Sequence, residues 1–232
     1  MQFLSALRHR LRYRMLEPVT RAVVNNRLTY LSLEKLERIA TAMKATAAVP
    51  GDILEFGVAL GGSGIILASQ AREGRRFFGF DVFGMIPPPV SAKDDSKSKA
   101  RFEIIKSGQS HGIAGDEYYG YRTDLFGDVK AAFQRHGYPV DGKIIQLCKG
   151  LFEETWPTAD VDAIALVHLD CDWYDPIRYC LQACADKLGR GGIIIIDDYH
   201  DYGGCRTAVD EFIASRPDFV LDQGRNPFLR KR

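Results

Sequence analysis

Ile53-Leu54-Glu55-Phe56-Gly57-Val58-Ala59-Leu60-Gly61-Gly62-Ser63-Gly64 is the stretch that decides the fold. Ile53 to Phe56 read as a short strand, Gly57 to Gly64 as a glycine-rich turn, and Ile65 to Arg72 as the helix that follows. Glycine at such a junction permits a sharp turn and lets the backbone come close to a ligand. Three residues separate Gly57 from the next glycine, so the dinucleotide fingerprint G-x-G-x-x-G is absent and a bound pyrophosphate is not indicated.

The same alternation continues outward. Upstream, Leu33, Leu36, Ile39, Ala40 and Met43 recur at helical spacing until Pro50-Gly51 stops the helix. Downstream come a strand at Phe77 to Asp81, a helix at Leu125 to His136 and a strand at Lys143 to Cys148. A short helix near Phe152, a strand at Ala163 to Asp170, a helix at Pro176 to Leu188 and a strand at Gly192 to Ile196 complete the series. Strands that are apolar throughout are buried on both faces, so this order predicts an α/β fold: a doubly wound, mostly parallel sheet with helices on both faces.

A chain of 232 residues, 46% hydrophobic and 26% charged, fits one domain over 1–232 with an N-terminal helical segment at 1–50. The net charge of +1 gives it no electrostatic drive toward nucleic acid. Five cysteines without a CxxC pair read as reduced thiols of a cytoplasmic protein, and no apolar run approaches the roughly 20 residues that cross a bilayer.

Two segments stand outside the alternation. Arg8, Arg10, Arg12, Arg14, Arg21 and Arg27 face a single Glu17, with Phe3, Leu4, Leu7, Leu11 and Leu16 at helical spacing; a basic amphipathic helix is expected, packed on the domain or on a partner subunit. Residues 84–124 open with Pro87, Pro88 and Pro89 and run polar for too long to be an ordinary connection, which predicts a lid or acceptor loop. Tyr118, Tyr119 and Tyr121 in it can stack on a sugar or aglycone.

In open α/β sheets ligands gather at the carboxyl ends of the strands. Asp81 ends the second strand, where a carboxylate accepts hydrogen bonds from ribose hydroxyls, and this makes adenosine a candidate. Later strands end in Asp170-Cys171-Asp172 and in Asp197-Asp198. Asp170 and Asp172 share a face if the strand continues, whereas Asp197 and Asp198 point oppositely unless the chain turns. Gathering Asp170, Asp197 and Asp198 at one edge concentrates negative charge that a divalent cation offsets, and oxygen-only ligands favour Mg²⁺, Mn²⁺ or Ca²⁺. The bland alternative has these acids capping helices or binding Arg178 and Arg206. His168 reads as a hydrogen-bonded structural residue, and His200 as a reserve base.

With these blocks in place, the chain over about Leu33 to Ala214 resembles the macrocin O-methyltransferase family of metal-dependent class I, Rossmann-like enzymes. The resemblance rests on Gly51 to Val58 with Gly61-Gly62, Phe80-Asp81-Val82-Phe83, Lys149-Gly150-Leu151-Phe152-Glu153-Glu154-Thr155, Leu169 to Tyr174, Gly191 to Tyr199, and Cys205-Arg206 with Ala208-Val209. It implies S-adenosylmethionine as methyl donor, held by Glu55, Gly57, Gly61, Gly62, Ser63, Asp81 and Phe83, with Gly150, Leu151 and Phe152 near the adenine and Asp170 also beside the cofactor. It further implies Mg²⁺ or another divalent cation at Asp170, Asp197 and Asp198, with Asp170 doubling as general base and Asp172 as the other proton acceptor.

The resemblance also implies a hydroxylated small-molecule acceptor, a sugar or glycoside of natural-product and antibiotic biosynthesis, and a homo-oligomer, dimer or larger. Where the family shows Ser-Phe-Glu-Gly-Leu-Pro, this chain reads Val82-Phe83-Gly84-Met85-Ile86-Pro87 and lacks the glutamate. Two rival readings share the fold: a catechol-type O-methyltransferase, and a non-catalytic cofactor-binding or assembly protein.

Overall fold

A computed structural model describes residues 10–232. The expected amphipathic helix at Phe3 to Leu16 falls partly outside that range; 10–15 is helical. Helices α1 (Pro18–Asn25) and α2 (Leu33–Ala45) precede β1 (Asp52–Phe56), α3 (Gly62–Ala68) and β2 (Phe77–Asp81). Then follow α4 (Ser96–Lys106), α5 (Leu125–Arg135), β3 (Ile145–Lys149), α6 (Phe152–Thr155) and β4 (Ile164–Leu169). Helix α7 (Tyr174–Ala185), β5 (Leu188–Ile196), α8 (Gly203–Ser215), β6 (Phe219–Asp222) and β7 (Phe228–Lys231) finish the chain.

The strands form one seven-stranded sheet in the order β3-β2-β1-β4-β5-β7-β6. All neighbours from β3 to β5 are parallel, and β7 runs antiparallel between β5 and β6. With helices on both faces, the period of two sends apolar residues of the central strands to two cores. Ile53, Leu166, Ile193 and Ile195 project into a core with Leu36 and Ile39 of α2 and Ile65 of α3. Leu54, Val167, Ile194 and Ile196 project into a second core with Ile177, Cys180, Leu181 and Cys184 of α7 and Val209 of α8. The doubly wound expectation therefore holds, with the strand order reversing between β1 and β4.

Three differences from the sequence reading have physical causes. Helix α3 begins at Gly62 rather than Ile65, because Gly61 takes the left-handed conformation (φ 87°) and the helix starts at once. The 84–124 segment is not a bare loop: Asp95 caps α4 by accepting from Ser98 N at 2.8 Å, and two 3₁₀ turns follow at Ile113–Gly115 and Tyr119–Tyr121. The C-terminal α8, β6 and β7 were not legible, since two four-residue strands carry too short a pattern.

Candidate active site

The ends of β1, β2, β4 and β5 meet at one cavity of about 680 Å³. Ladder bonds continue past the strands: Asp170 N donates to Phe56 O and Asp197 N to Leu169 O, both at 2.9 Å, so these ends are fixed relative to one another. Gly57 sits at φ 93°, and a Cβ there would fall 1.8 Å from the Asp170 carbonyl oxygen. Only glycine lets β1 and β4 close this tightly. The turn after it shows Gly57 and Ala59 to the cavity.

The other residues of the expected cofactor set are distributed unevenly. Asp81 lines the cavity, and its carboxylate organises the turn: Oδ2 accepts from Val58 N at 2.7 Å and Ala59 N at 2.9 Å, and Oδ1 from Phe83 N at 2.6 Å. Leu151 and Phe152 also line it, on the far side. Gly61 is buried against Val129 and Phe133, Gly62 under Leu28 and Thr29, Ser63 is buried beside them, and Phe83 packs edge-on against Phe126. Gly150 adopts φ 146° and donates its N–H to Asp81 O at 3.0 Å, so it ties the third strand to the second.

Glu55 departs from the reading of a cofactor ligand. It is fully buried, its Oε1 3.0 Å from His168 Nδ1, and a Cβ on Gly64 would meet its Oε2 at 2.6 Å. Glu55 lies within β1 and its side chain runs beneath α3, while Gly57 lies past the strand end at the open edge. On the other side, His168 Nε2 lies 3.7 Å from Asp197 Oδ1, a charge contact rather than a hydrogen bond. Desolvation opposes the charge on His168, but Asp197 and Glu55 outweigh it and hold the imidazolium up to about 10.

The acidic residues gather at this cavity, and Asp172 joins them. Carboxylate oxygens of Asp170, Asp172 and Asp198 lie within 4.8 Å of one another, and Asp197 lines the same cavity beside them. Asp197 follows the Ile193–Ile195 row and meets Lys35 of α2, its Oδ2 accepting from Nζ at 2.5 Å. Asp198 follows the opposite row, and its Oδ2 accepts from Asp172 N at 3.1 Å. Asp172 reaches the cluster because the chain leaves the strand with φ 57° at that residue, a conformation that aspartate tolerates better than most.

Burial and the charge of Asp197 push Asp170 well above the ordinary carboxylate range, and the same causes move Asp172 up to about 6. Burial, then Asp172 and Asp170, push Asp198 up as well. Burial would raise Asp197 too, but His168 and Lys35 hold it below its usual range. Three crowded carboxylates that resist ionising together are a donor set suited to a hard divalent cation.

His200 corrects the reading of a reserve base: it is exposed, its Nε2 lies 3.0 Å from Gly224 O, and it does not line the cavity. Arg178 and Arg206 do not neutralise the cluster; Arg178 approaches Asp175, and Arg206 Nε donates to Tyr199 O. Lys35 was missed, because a lysine beside an apolar helical row reads as solvated. Tyr118 and Tyr119 line the cavity with ring centroids 4.4 Å apart. Tyr121 does not; its hydroxyl donates to Ile105 O at 2.5 Å and braces the segment.

A parallel sheet with one antiparallel strand inserted before its last, glycine turn and acids at the same edge, defines a class I methyltransferase fold. The family model described as Macrocin-O-methyltransferase (TylF) matches residues 25–217. The chain belongs to this family and is an O-methyltransferase. One relative, 8-demethyl-8-(2,3-dimethoxy-alpha-L-rhamnosyl)-tetracenomycin-C 4'-O-methyltransferase of Streptomyces olivaceus, is 31% identical over 191 residues, 79% of this chain and 67% of its own. Demethyldecarbamoylnovobiocin O-methyltransferase of Streptomyces niveus is 27% identical over 196 residues, 82% and 69% of the two chains. The structure of the O-methyltransferase NovP superposes with a TM-score of 0.71 at 24% identity, covering 88% of this chain and 82% of that one, which shows the shared fold. Among the described residues no helix is long and apolar enough to cross a membrane.

Proposed function

We propose that this enzyme moves the methyl group of S-adenosylmethionine to a hydroxyl of a sugar or glycoside, with a divalent cation, Mg²⁺ in the first place, at the sheet edge where Asp170, Asp197 and Asp198 converge beside Asp172. The observation that carries the reading is that Gly57, Ala59 and Asp81 share one cavity with that acidic cluster. The relatives named for methylating rhamnosyl and novobiocin compounds support the acceptor class.

The donor lies across Gly57 and Ala59. Asp81 keeps one lone pair of Oδ1 for a ribose hydroxyl after its three backbone bonds, and Leu151 and Phe152 supply an apolar wall for the adenine. The acceptor enters between Asp172 and the Tyr118–Tyr119 pair. When bound, the divalent cation supplies Lewis acidity that lowers the pKa of a coordinated hydroxyl.

A carboxylate oxygen of Asp170, at the end of β4 and facing the cavity, takes the hydroxyl proton. The acceptor oxygen then forms its bond to the methyl carbon as the carbon–sulfur bond breaks, and the cofactor leaves as a neutral thioether. Holding both partners at one rigid edge supplies the alignment.

Calorimetric titration of S-adenosylhomocysteine and of Mg²⁺ tests the two halves separately. Asp81→Ala is expected to weaken S-adenosylhomocysteine at least tenfold and to leave Mg²⁺ bound. Asp198→Asn is expected to do the reverse. Wild-type protein that binds neither ligand would sink the reading.

A further inference from the structure

Of the aromatic residues around the cavity, Tyr119 stands where the donor and acceptor halves of the site meet. S-adenosylmethionine carries its positive charge on a sulfur that is bonded to the ribose on one side and to the transferable methyl group on another. With the ribose at Asp81 and the acceptor oxygen at Asp170, the sulfonium falls between those two strand ends. Both acids and Tyr119 line the one cavity.

Three observations put the Tyr119 ring in that interval. Gly120 brings its turn down onto the chain that leaves β2: a Cβ there would lie 2.9 Å from the Tyr118 ring, 3.1 Å from Met85 Cα and 3.3 Å from Gly84 O. This is the stretch in which the chain lacks the family's glutamate. Tyr119 also packs against the core that holds Val58, Leu60 and Phe83, so it borders the glycine turn. Burial, then Tyr118, Asp81 and Asp172, push its phenol well above the ordinary range, which sets the ring within the field of the ribose anchor and of an acid beside the acceptor at once.

The ring is also fixed. Tyr118 lies against it at 4.4 Å between centroids, Tyr30 meets it edge-on at 6.1 Å, and Tyr119 O accepts from Arg122 N at 3.2 Å at the end of the 3₁₀ turn. An aromatic face attracts a cation held within about 6 Å of its centroid, most strongly when both are shielded from water. A sulfonium spreads its charge over the attached carbons, as do the quaternary ammonium groups that aromatic cages take. The neutral thioether left after transfer has no such attraction.

We propose that Tyr119 presents its ring to the sulfonium of the donor, and so adds to the affinity for S-adenosylmethionine while adding nothing to that for S-adenosylhomocysteine. The inference rests on the donor reading given above and deepens it, by assigning selection of charged donor over neutral product to a residue of the 84–124 segment. A ring that meets a charge already present in the ground state acts on donor affinity and product release rather than on the chemical step.

The test is calorimetric titration of the full chain, in Mg²⁺, with S-adenosylmethionine, S-adenosylhomocysteine and sinefungin, whose amine stands in for the sulfonium charge. Tyr119→Leu is expected to lose about tenfold in affinity for S-adenosylmethionine and sinefungin, with S-adenosylhomocysteine within about twofold of wild type. Tyr119→Phe, which keeps the ring, is expected to match wild type for all three. The isotope-labelled methyl group of S-adenosylmethionine bound to wild type is expected to resonate upfield of the free donor, shifted by the ring current.

A loss for S-adenosylmethionine that is no larger than the loss for S-adenosylhomocysteine in Tyr119→Leu shows a ring that only packs, and overturns the inference while the donor reading stands. Tyr119→Phe falling as far as Tyr119→Leu overturns it as well. Should Tyr119→Leu fail to fold by circular dichroism, the wild-type methyl resonance decides, and one that is not displaced upfield overturns the inference. Wild-type protein that binds neither S-adenosylmethionine nor S-adenosylhomocysteine overturns both readings.

Discussion

Gly57 shows how one missing Cβ sets the distance between the two halves of the site. With φ 93° and the Asp170 carbonyl where a side chain would start, Gly57→Ala combines a disfavoured backbone with a direct clash. A loss of about 2–4 kcal/mol in urea unfolding is expected, together with weaker Mg²⁺ binding, since Asp170 is what the clash displaces. The residue types of the site were legible: acids at strand ends and glycines after β1 could be read directly. Their facing was not. Glu55 runs beneath α3 and Asp197, which lines the cavity, also meets Lys35 of α2, and a sequence shows acids at strand ends without showing these partners. Asp172 required a left-handed residue after the strand, which spacing alone does not disclose.

The 84–124 segment is held by its acids rather than by apolar periodicity, and for that reason its helix escaped the sequence reading. In α4 only Ser98 and Ile105 are buried, so no stripe marks it. Asp94 Oδ1 accepts from Tyr174 N at 2.9 Å, and Asp95 Oδ2 from Gly203 N at 2.8 Å, which ties the segment to the first turns of α7 and α8. Trp173 Nε1 adds a bond to Pro87 O at 2.9 Å.

Asp95→Ala removes a cap and a bridge and is expected to cost about 1–2 kcal/mol near neutral pH. Burial works against the charge of Asp95, but its bonds from Ser98 and Gly203 outweigh burial and lower its pKa. The contribution is therefore present above the ordinary aspartate range and is lost as pH falls through the lowered value. Urea unfolding at pH 7 and at pH 3 should show the gap between wild type and Asp95→Ala narrowing in acid; a gap that widens would refute the assignment.

The sheet as a unit was the most legible feature, because Ile193 to Ile196 and, His168 apart, Ile164 to Leu169 are apolar on both rows and demand two covered faces. What remained hidden was the antiparallel β7, whose Phe228, Leu229 and Arg230 pair with Ile195, Ile194 and Ile193 through contacts far apart in sequence. The finished fold leaves its repelling carboxylates at the sheet edge, so ligands should stabilise it strongly. S-adenosylhomocysteine and Mn²⁺, each at a hundred times its dissociation constant, would each contribute about 2.7 kcal/mol. For a domain of this size that corresponds to a rise of about 5–10 °C in Tm per ligand by differential scanning fluorimetry. Chelation should reverse only the Mn²⁺ part; a Tm indifferent to both would contradict the site.

The anchoring of the 84–124 segment through Asp94 and Asp95 has an evolutionary consequence. Its footing is on α7 and α8, outside the strands whose ends carry the acids, while its Tyr118 and Tyr119 reach the cavity where the acceptor is proposed to bind. Acceptor choice can therefore drift by exchanging this cassette between homologues, with the methyl-transfer chemistry inherited unchanged from the strands beneath it.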